Sequence, residues 1–218
     1  MVYPSTIGSI VEGFFCHMEV ITKKRLILAS TSPRRIALLK LLGYRFDIIP
    51  HSIDEYIPDD ATPEEVVLNL AFMKAHDVAG RVEDAIIIGA DTLVYHKKGI
   101  IGKPKDIRDA KKILSLLSNS AHSIFTGVCI IDKPSQKKLL RNERTQITMK
   151  HIPEEELEAY VQSGEPMDKA GAYAIQGEGE KFIKQITGSY SNAVGLPLEL
   201  VQEMLNKFNY HNEDAEKF

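Results

Sequence analysis

The sequence predicts a mixed α/β fold, and three observations carry that prediction. Short apolar runs suited to buried strands alternate with capped, amphipathic helical patterns through the first half of the chain. Strands and helices then mix without strict alternation in the second half. The 218 residues, 44% hydrophobic and 26% charged, suffice for one large domain or two small lobes sharing a cleft, with a core that needs no disulfide or structural metal.

Residues 1–24 read as an N-terminal extension, weakly patterned and ending in Thr22-Lys23-Lys24, with Met18 as an alternative start. Arg25–Ala29 predicts a buried strand. Ser32 suits an N-cap, Pro33 the first helical position, and Leu38, Leu39 and Leu42 make an apolar stripe that Gly43 ends as a left-handed cap. Tyr44–Ile49 reads as a second strand, followed by a loop carrying Asp54 and Glu55. Thr62-Pro63-Glu64-Glu65 is a capping box whose helix should run to about Ala79 and end at Gly80. The apolar run Ala85–Gly89 is too short for a helix and suits a central strand delivering Asp91 and Thr92 at its end. Leu93–Tyr95 and Ile100-Ile101, about a turn at Lys97-Lys98-Gly99, form a hairpin. Asp106 caps a helix through Leu117, and His122–Asp132 and Leu139–Met149 are long strands joined around Lys133-Pro134-Ser135. A helix runs from Pro153 to about Gln162, Gly171–Gly179 is irregular, and Gly195-Leu196-Pro197 opens the last helix. The folded domain is thus expected over 25–208, with 209–218 a polar tail.

The net charge of -3 provides no global positive field for nucleic acid or anionic lipid, so any phosphate affinity must come from local Lys and Arg. Cys16 and Cys129 lack zinc or redox spacing, and Cys129 in an apolar run reads as a buried core thiol. No apolar run approaches a membrane span, and Glu12 interrupts the N-terminal apolar stretch with no basic residue before it, unlike a signal peptide. A cytoplasmic protein is expected.

The strongest local signal is Ser30-Thr31-Ser32-Pro33-Arg34-Arg35, where a strand gives way to a helix. Free N–H groups and the dipole's positive end make such a start an anion site, and two arginines there favour a bound anion over a merely capped surface helix. Asp91, just past an apolar strand, can hold Mg²⁺ or take a proton from water, or it can simply cap a turn. Asp54 and Glu55 offer a second place for a hard cation. Lys74 is the lone cation in the apolar stretch Val66–Ala75, where a snorkelling core-edge lysine is the bland alternative. Lys103 sits in the Gly102-Lys103-Pro104 loop, and Gln176 offers a donor and an acceptor among small residues. A P-loop, a complete dinucleotide fingerprint, paired zinc-ligand histidines and a nucleophile elbow are all missing.

Taken in order, several blocks resemble the Maf family of nucleotide pyrophosphatases. They are Leu28–Arg35, Ile88–Thr92, Gly102-Lys103-Pro104, Asp168–Gly177, Gly188-Ser189-Tyr190 and Gly195–Leu198. The resemblance implies an elongated mixed sheet with flanking helices, in two lobes around a deep cleft, similar to inosine triphosphate pyrophosphatases. It also implies divalent-metal hydrolysis of the α–β phosphoanhydride of pyrimidine or non-standard nucleoside triphosphates. By that resemblance Asp91 is the proton acceptor, and Ser30, Arg35, Glu55, Lys74 and Lys103 are polar cleft residues. Arg34, Thr92 and Gln176 match the trio of the dTTP/UTP subgroup. A homodimer is implied as well.

The expected mechanism is attack of water on the α-phosphorus, with Glu55 and Asp91 binding Mg²⁺ or Mn²⁺ and Asp91 also taking the proton. Ser30, Arg35, Lys74 and Lys103 would hold phosphate, while Gln176, Arg34 and Thr92 select the base or sugar. Two alternatives differ in class or specificity. One is a regulatory or nucleic-acid-binding protein linked to cell division, as the family's name, taken from an effect on septum formation, suggests. It lacks support from any basic stripe with interleaved aromatics. The other is a housecleaning pyrophosphatase with a different base preference.

Overall fold

The runs at residues 25–28 and 85–88 lie side by side as parallel strands in a mixed sheet. In this computed structural model, residues 24–211 are described, except 59, 98 and 134. The extension over residues 1–23, with Cys16 and Met18, the tail after 211, and the turn residues Lys98 and Pro134 lie outside the described residues.

The strands are β1 (Arg25–Leu28), β2 (Asp47–Ile48), β3 (Ala85–His96), β4 (Gly99–Ile101), β5 (Ala121–Lys133), β6 (Lys138–Met149) and β7 (Ile183–Thr187). Their order is β2-β1-β3-β5-β6-β7, with β4 also on β3. β1 is parallel to β2 and β3, and the other pairings are antiparallel. The helices are α1 (Pro33–Leu41), α2 (Pro63–Ala79), α3 (Ile107–Leu117), α4 (Glu154–Gln162), α5 (Tyr190–Val194) and α6 (Leu198–Asn206).

Strand alternation divides the core in two. On one face Ile27, Ile87, Cys129 and Ile131 pack against Ala71, Ala75 and Val78 of α2. On the other, Leu28, Ile86, Ile88, Val128 and Ile130 join residues of α1, α3, α4 and α6. The burial of Cys129 pushes its thiol up to about 12, which makes it an unreactive core group.

Helix α2 lies unusually close to the sheet, and two glycines explain why. A Cβ on Gly89 would sit 2.4 Å from the Ala71 carbonyl, and one on Gly127 would sit 2.2 Å from the Val67 carbonyl. Gly127 pairs directly with Asp91 across β5 and β3, so the closest part of α2 overlies the Asp91 position.

Several expectations are corrected. The strand read at 44–49 is only Asp47–Ile48, because Tyr44 turns into the core instead of extending the sheet. The run at 85–89 continues unbroken to His96, so Asp91 and Thr92 lie inside a strand and not at its end. Ser32 occupies the N-cap of α1 but makes no side-chain cap bond; its backbone N–H donates to Ser30 Oγ at 3.2 Å. The capping box at Thr62 and Glu65 is complete, and α2 ends at Ala79 with Gly80 as C-cap. The stretch read as irregular, Gly171–Gly179, is overlapped by short 3₁₀ turns at Ala170–Ala172 and Glu178–Phe182; another at Glu165–Asp168 precedes it, and β7, which has no counterpart among the expected strands, follows it.

Candidate active site

β1 accompanies β3 only to the pair Leu28 and Ile88, and β4 joins β3 only from Val94. Residues 89–93 therefore have β5 on one side and no strand partner on the other. The Ser30–Arg35 turn passes this gap. Asp91 emerges on the α2 face there and Thr92 on the opposite face.

On the α2 face, the sequence placed one lysine in an apolar helix stretch. It does not snorkel. Lys74 is 4% exposed, and its Nζ lies 2.6 Å from Asp91 Oδ1 and 2.7 Å from Glu55 Oε1. Burying an ammonium costs several kcal/mol, of the order expected for any dehydrated ion, unless partners meet it. Here two carboxylates do. Burial alone would raise Glu55, but the hydrogen bond and charge of Lys74, with His51 and Arg35, hold it below the ordinary carboxylate value. Burial and the Lys74 charge keep His51 below its ordinary value. Asp54 is exposed, and Glu55 is the acid of that loop that reaches Lys74.

On the other face is a cavity of about 280 Å³, at the small end of the range for small-molecule sites. Arg34, Arg35, Thr92, Lys103, Asp168 and Gln176 are among the residues that line it. Ser32 also lines it, whereas Ser30 is buried beneath the turn. Arg34 Nη1 lies 3.6 Å from Asp168 Oδ2, an exposed pair of small energetic weight. Arg35 is held more firmly, its Nε donating to the Gly195 carbonyl and its Nη2 to Thr92 Oγ1, both at 3.0 Å. Burial draws Arg35 below its ordinary value, the Asp91 and Glu55 charges oppose this, and Arg34 adds to it; the group stays a cation. Arg35 is thus the residue that lines the cavity while sensing the acids across the gap.

The irregular segment that carries Gln176 is fixed by one buried tyrosine. Tyr160 Oη donates to Glu165 Oε1 at 2.8 Å and accepts from the Ala174 N–H at 3.0 Å. Glu165 in turn accepts the N–H groups of Glu178 and Gly179, each at 3.1 Å. The Gly171 N–H donates to the Gly102 carbonyl at 3.1 Å, tying this wall to the Lys103 loop.

The structure thus joins Glu55, Lys74 and Asp91 in one cluster, and Arg34, Arg35, Thr92, Lys103 and Gln176 around one cavity. Asp168, Thr126 and His51 join the site without having stood out in the sequence. Asp168 stands within a block already singled out, so it could have been found; Thr126 and His51 gave no local signal.

A cationic helix start, a lysine bridging two acids and a small mixed cavity make an arrangement in an α/β protein that can hold a compact anion near two carboxylates. The sequence profile of the family described as "Maf-like protein" matches residues 25–208. The chain belongs to that family. It is 48% identical over 190 residues to a dTTP/UTP pyrophosphatase of Alkaliphilus metalliredigens, covering 87% of this chain and 98% of that protein. A dTTP/UTP pyrophosphatase of Pelotomaculum thermopropionicum is 46% identical over 188 residues, covering 86% of this chain and 98% of that protein. Among solved structures, that of the Staphylococcus aureus Ham1 protein aligns with a TM-score of 0.42 at 16% identity, covering 58% of this chain and 72% of that one.

Proposed function

We propose that this protein hydrolyses dTTP and UTP to the monophosphate and pyrophosphate. The observation that carries this reading is the Lys74 ammonium between Asp91 and Glu55, set across one sheet gap from a cavity that holds Arg34 and Gln176. The names of the relatives support the same substrates.

In this reading the base enters the cavity. Thymine and uracil present an acceptor–donor–acceptor edge, and the Gln176 amide can serve a carbonyl and the ring N–H together. Arg34 can donate to the second carbonyl. The triphosphate crosses the gap, where Arg35 and Lys103 meet its oxygens with the N–H groups at the start of α1. Asp91, held by the Lys74 ammonium at 2.6 Å, orients water towards the α-phosphorus and accepts its proton. Lys74 then faces the charge that develops on the phosphoryl oxygens.

The residues fit a divalent cation. Among the described residues no group of three His, Cys, Asp or Glu side chains could hold a metal. Mg²⁺, however, is commonly held by one or two carboxylates together with substrate phosphates. Glu55 and Asp91 supply those two hard donors. Such a cation neutralises triphosphate charge when bound.

Hydrolysis in ¹⁸O-labelled water tests the bond that is broken. Label in the monophosphate is expected; label confined to pyrophosphate would place attack on the β-phosphorus. Asp91→Asn keeps the side-chain shape and leaves Glu55 on Lys74, so it should fold, at some cost in stability, and lose about 10²- to 10⁴-fold in kcat; a near-normal rate would remove Asp91 from the mechanism.

A further inference from the structure

Thr92 belongs to the trio that the resemblance ties to substrate choice, yet its hydroxyl is already committed inside the protein. Thr92 Oγ1 accepts from Arg35 Nη2 at 3.0 Å. It also lies 3.0 Å from Thr126 Oγ1 and 3.3 Å from the Gly195 carbonyl. Thr126, wholly buried on β5 directly opposite Thr92, has its Oγ1 3.3 Å from the Asn192 carbonyl.

A hydroxyl carries one proton and two lone pairs. Two arrangements therefore satisfy the pair. Thr92 can donate to Thr126 while Thr126 donates to Asn192, or Thr126 can donate to Thr92 while Thr92 donates to Gly195. In both, Arg35 finds a lone pair on Thr92, and in neither does Thr92 keep a proton for a base carbonyl. The carbonyls at the far end are themselves anchored. Asn192 is buried, its Nδ2 donating to Thr145 Oγ1 at 2.8 Å and to the Ile124 carbonyl at 3.4 Å. Thr145 Oγ1 donates to the Ser189 carbonyl at 2.8 Å, which fixes the entry of α5.

We propose that Thr126 is a positioning residue and that Thr92 and Thr126 act as a hydroxyl pair clamping the Arg35 guanidinium against Gly195. Thr92 serves the triphosphate through Arg35 and does not read the base by donating to it. With Nε and one Nη2 N–H engaged, the remaining N–H groups of the fork are presented to phosphate in one orientation. This inference rests on the pyrophosphatase reading for its kinetic consequence, though not for its geometry.

The test compares Thr126→Val, which keeps the shape and removes the hydroxyl, with Thr126→Ser, which restores it, and with Thr92→Val. Side-chain NMR of Arg35 reports rotation of the guanidinium, and steady-state kinetics on dTTP and UTP report the consequence. Thr126→Val and Thr92→Val should free the guanidinium, visible as averaging of its Nη signals. Each should lower kcat about tenfold on both substrates, the scale of one charge-assisted hydrogen bond. The dTTP-to-UTP ratio should not change, and Thr126→Ser should recover most of both readouts.

Unaltered Arg35 signals in both valine variants would overturn the proposal, as would a deficit that serine fails to rescue. So would a changed ranking of bases at constant Arg35 dynamics. Should Thr126→Val not fold, Thr92→Val carries the same prediction. If the wild-type protein released no pyrophosphate, the activity reading would fall, while the Arg35 signature would still decide the clamp.

Discussion

The chemistry of this chain concentrates on a few side chains whose partners lie far away in sequence. Lys74 shows the principle: in isolation it reads as a core-edge lysine, and only the fold reveals that Asp91 and Glu55 meet it. Removing one member of such a buried set is costly, since the survivors keep their charge without a partner. Lys74→Met should therefore lose stability, by about 3–5 kcal/mol. Urea unfolding checks this. Glu55 gives a gentler case with a definite sign. Its folded value lies below the ordinary carboxylate value, so its contribution is present above that ordinary value and lost as pH falls through the lowered one. The stability difference between wild type and Glu55→Gln should thus be seen at neutral pH and vanish in acid. A difference that grew in acid would contradict the assignment. At this scale the sequence was readable where a residue type clashed with its surroundings, as the arginines at the start of α1 did. Thr126, an ordinary β-strand threonine, offered no such clash.

The elements divide by whether their limits are set locally. Helix α2 was legible end to end because a capping box opens it and Gly80 closes it, both short-range signals. β3 was not, because Gly89 and Asp91 resemble strand terminators. In the structure Gly89 is small so that α2 can approach, and Asp91 continues the strand because Lys74 neutralises it. β7 escaped notice because it is a sheet-edge strand with no buried residue. These differences make two separable predictions. Gly127→Ala would place a Cβ 2.2 Å from the Val67 carbonyl, forcing α2 outwards. It should cost about 1–3 kcal/mol and also depress turnover, because Lys74 moves with its helix. Thr62→Ala removes the cap at the far end of the same helix. It should cost about 1 kcal/mol and leave kcat unchanged, as thermal melts and a pyrophosphate-release assay would show.

At the scale of the whole molecule, the sheet places two unlike environments on opposite faces of one strand and leaves a gap through which they communicate. The mixed α/β class followed from the order of patterns alone, whereas the gap depends on where β1 stops and β4 begins, which no local signal marks. Among the described residues no helix is long and apolar enough to cross a membrane. If Glu55 and Asp91 hold a cation, chelation should abolish hydrolysis and added Mg²⁺ or Mn²⁺ restore it, with Glu55→Gln requiring more metal for half-maximal rate. In the proposed function the Gln176 cavity selects the pyrimidine-dione base and the acid cluster drives hydrolysis of the triphosphate attached to it. The most direct measurement is pyrophosphate release from a panel of canonical nucleoside triphosphates with a divalent metal, using wild type and Gln176→Ala. The account predicts preference for dTTP and UTP in the wild type, blunted by Gln176→Ala in a protein that still hydrolyses triphosphates. Equal rates on purine and pyrimidine triphosphates, or an unaltered ranking in Gln176→Ala, would contradict it.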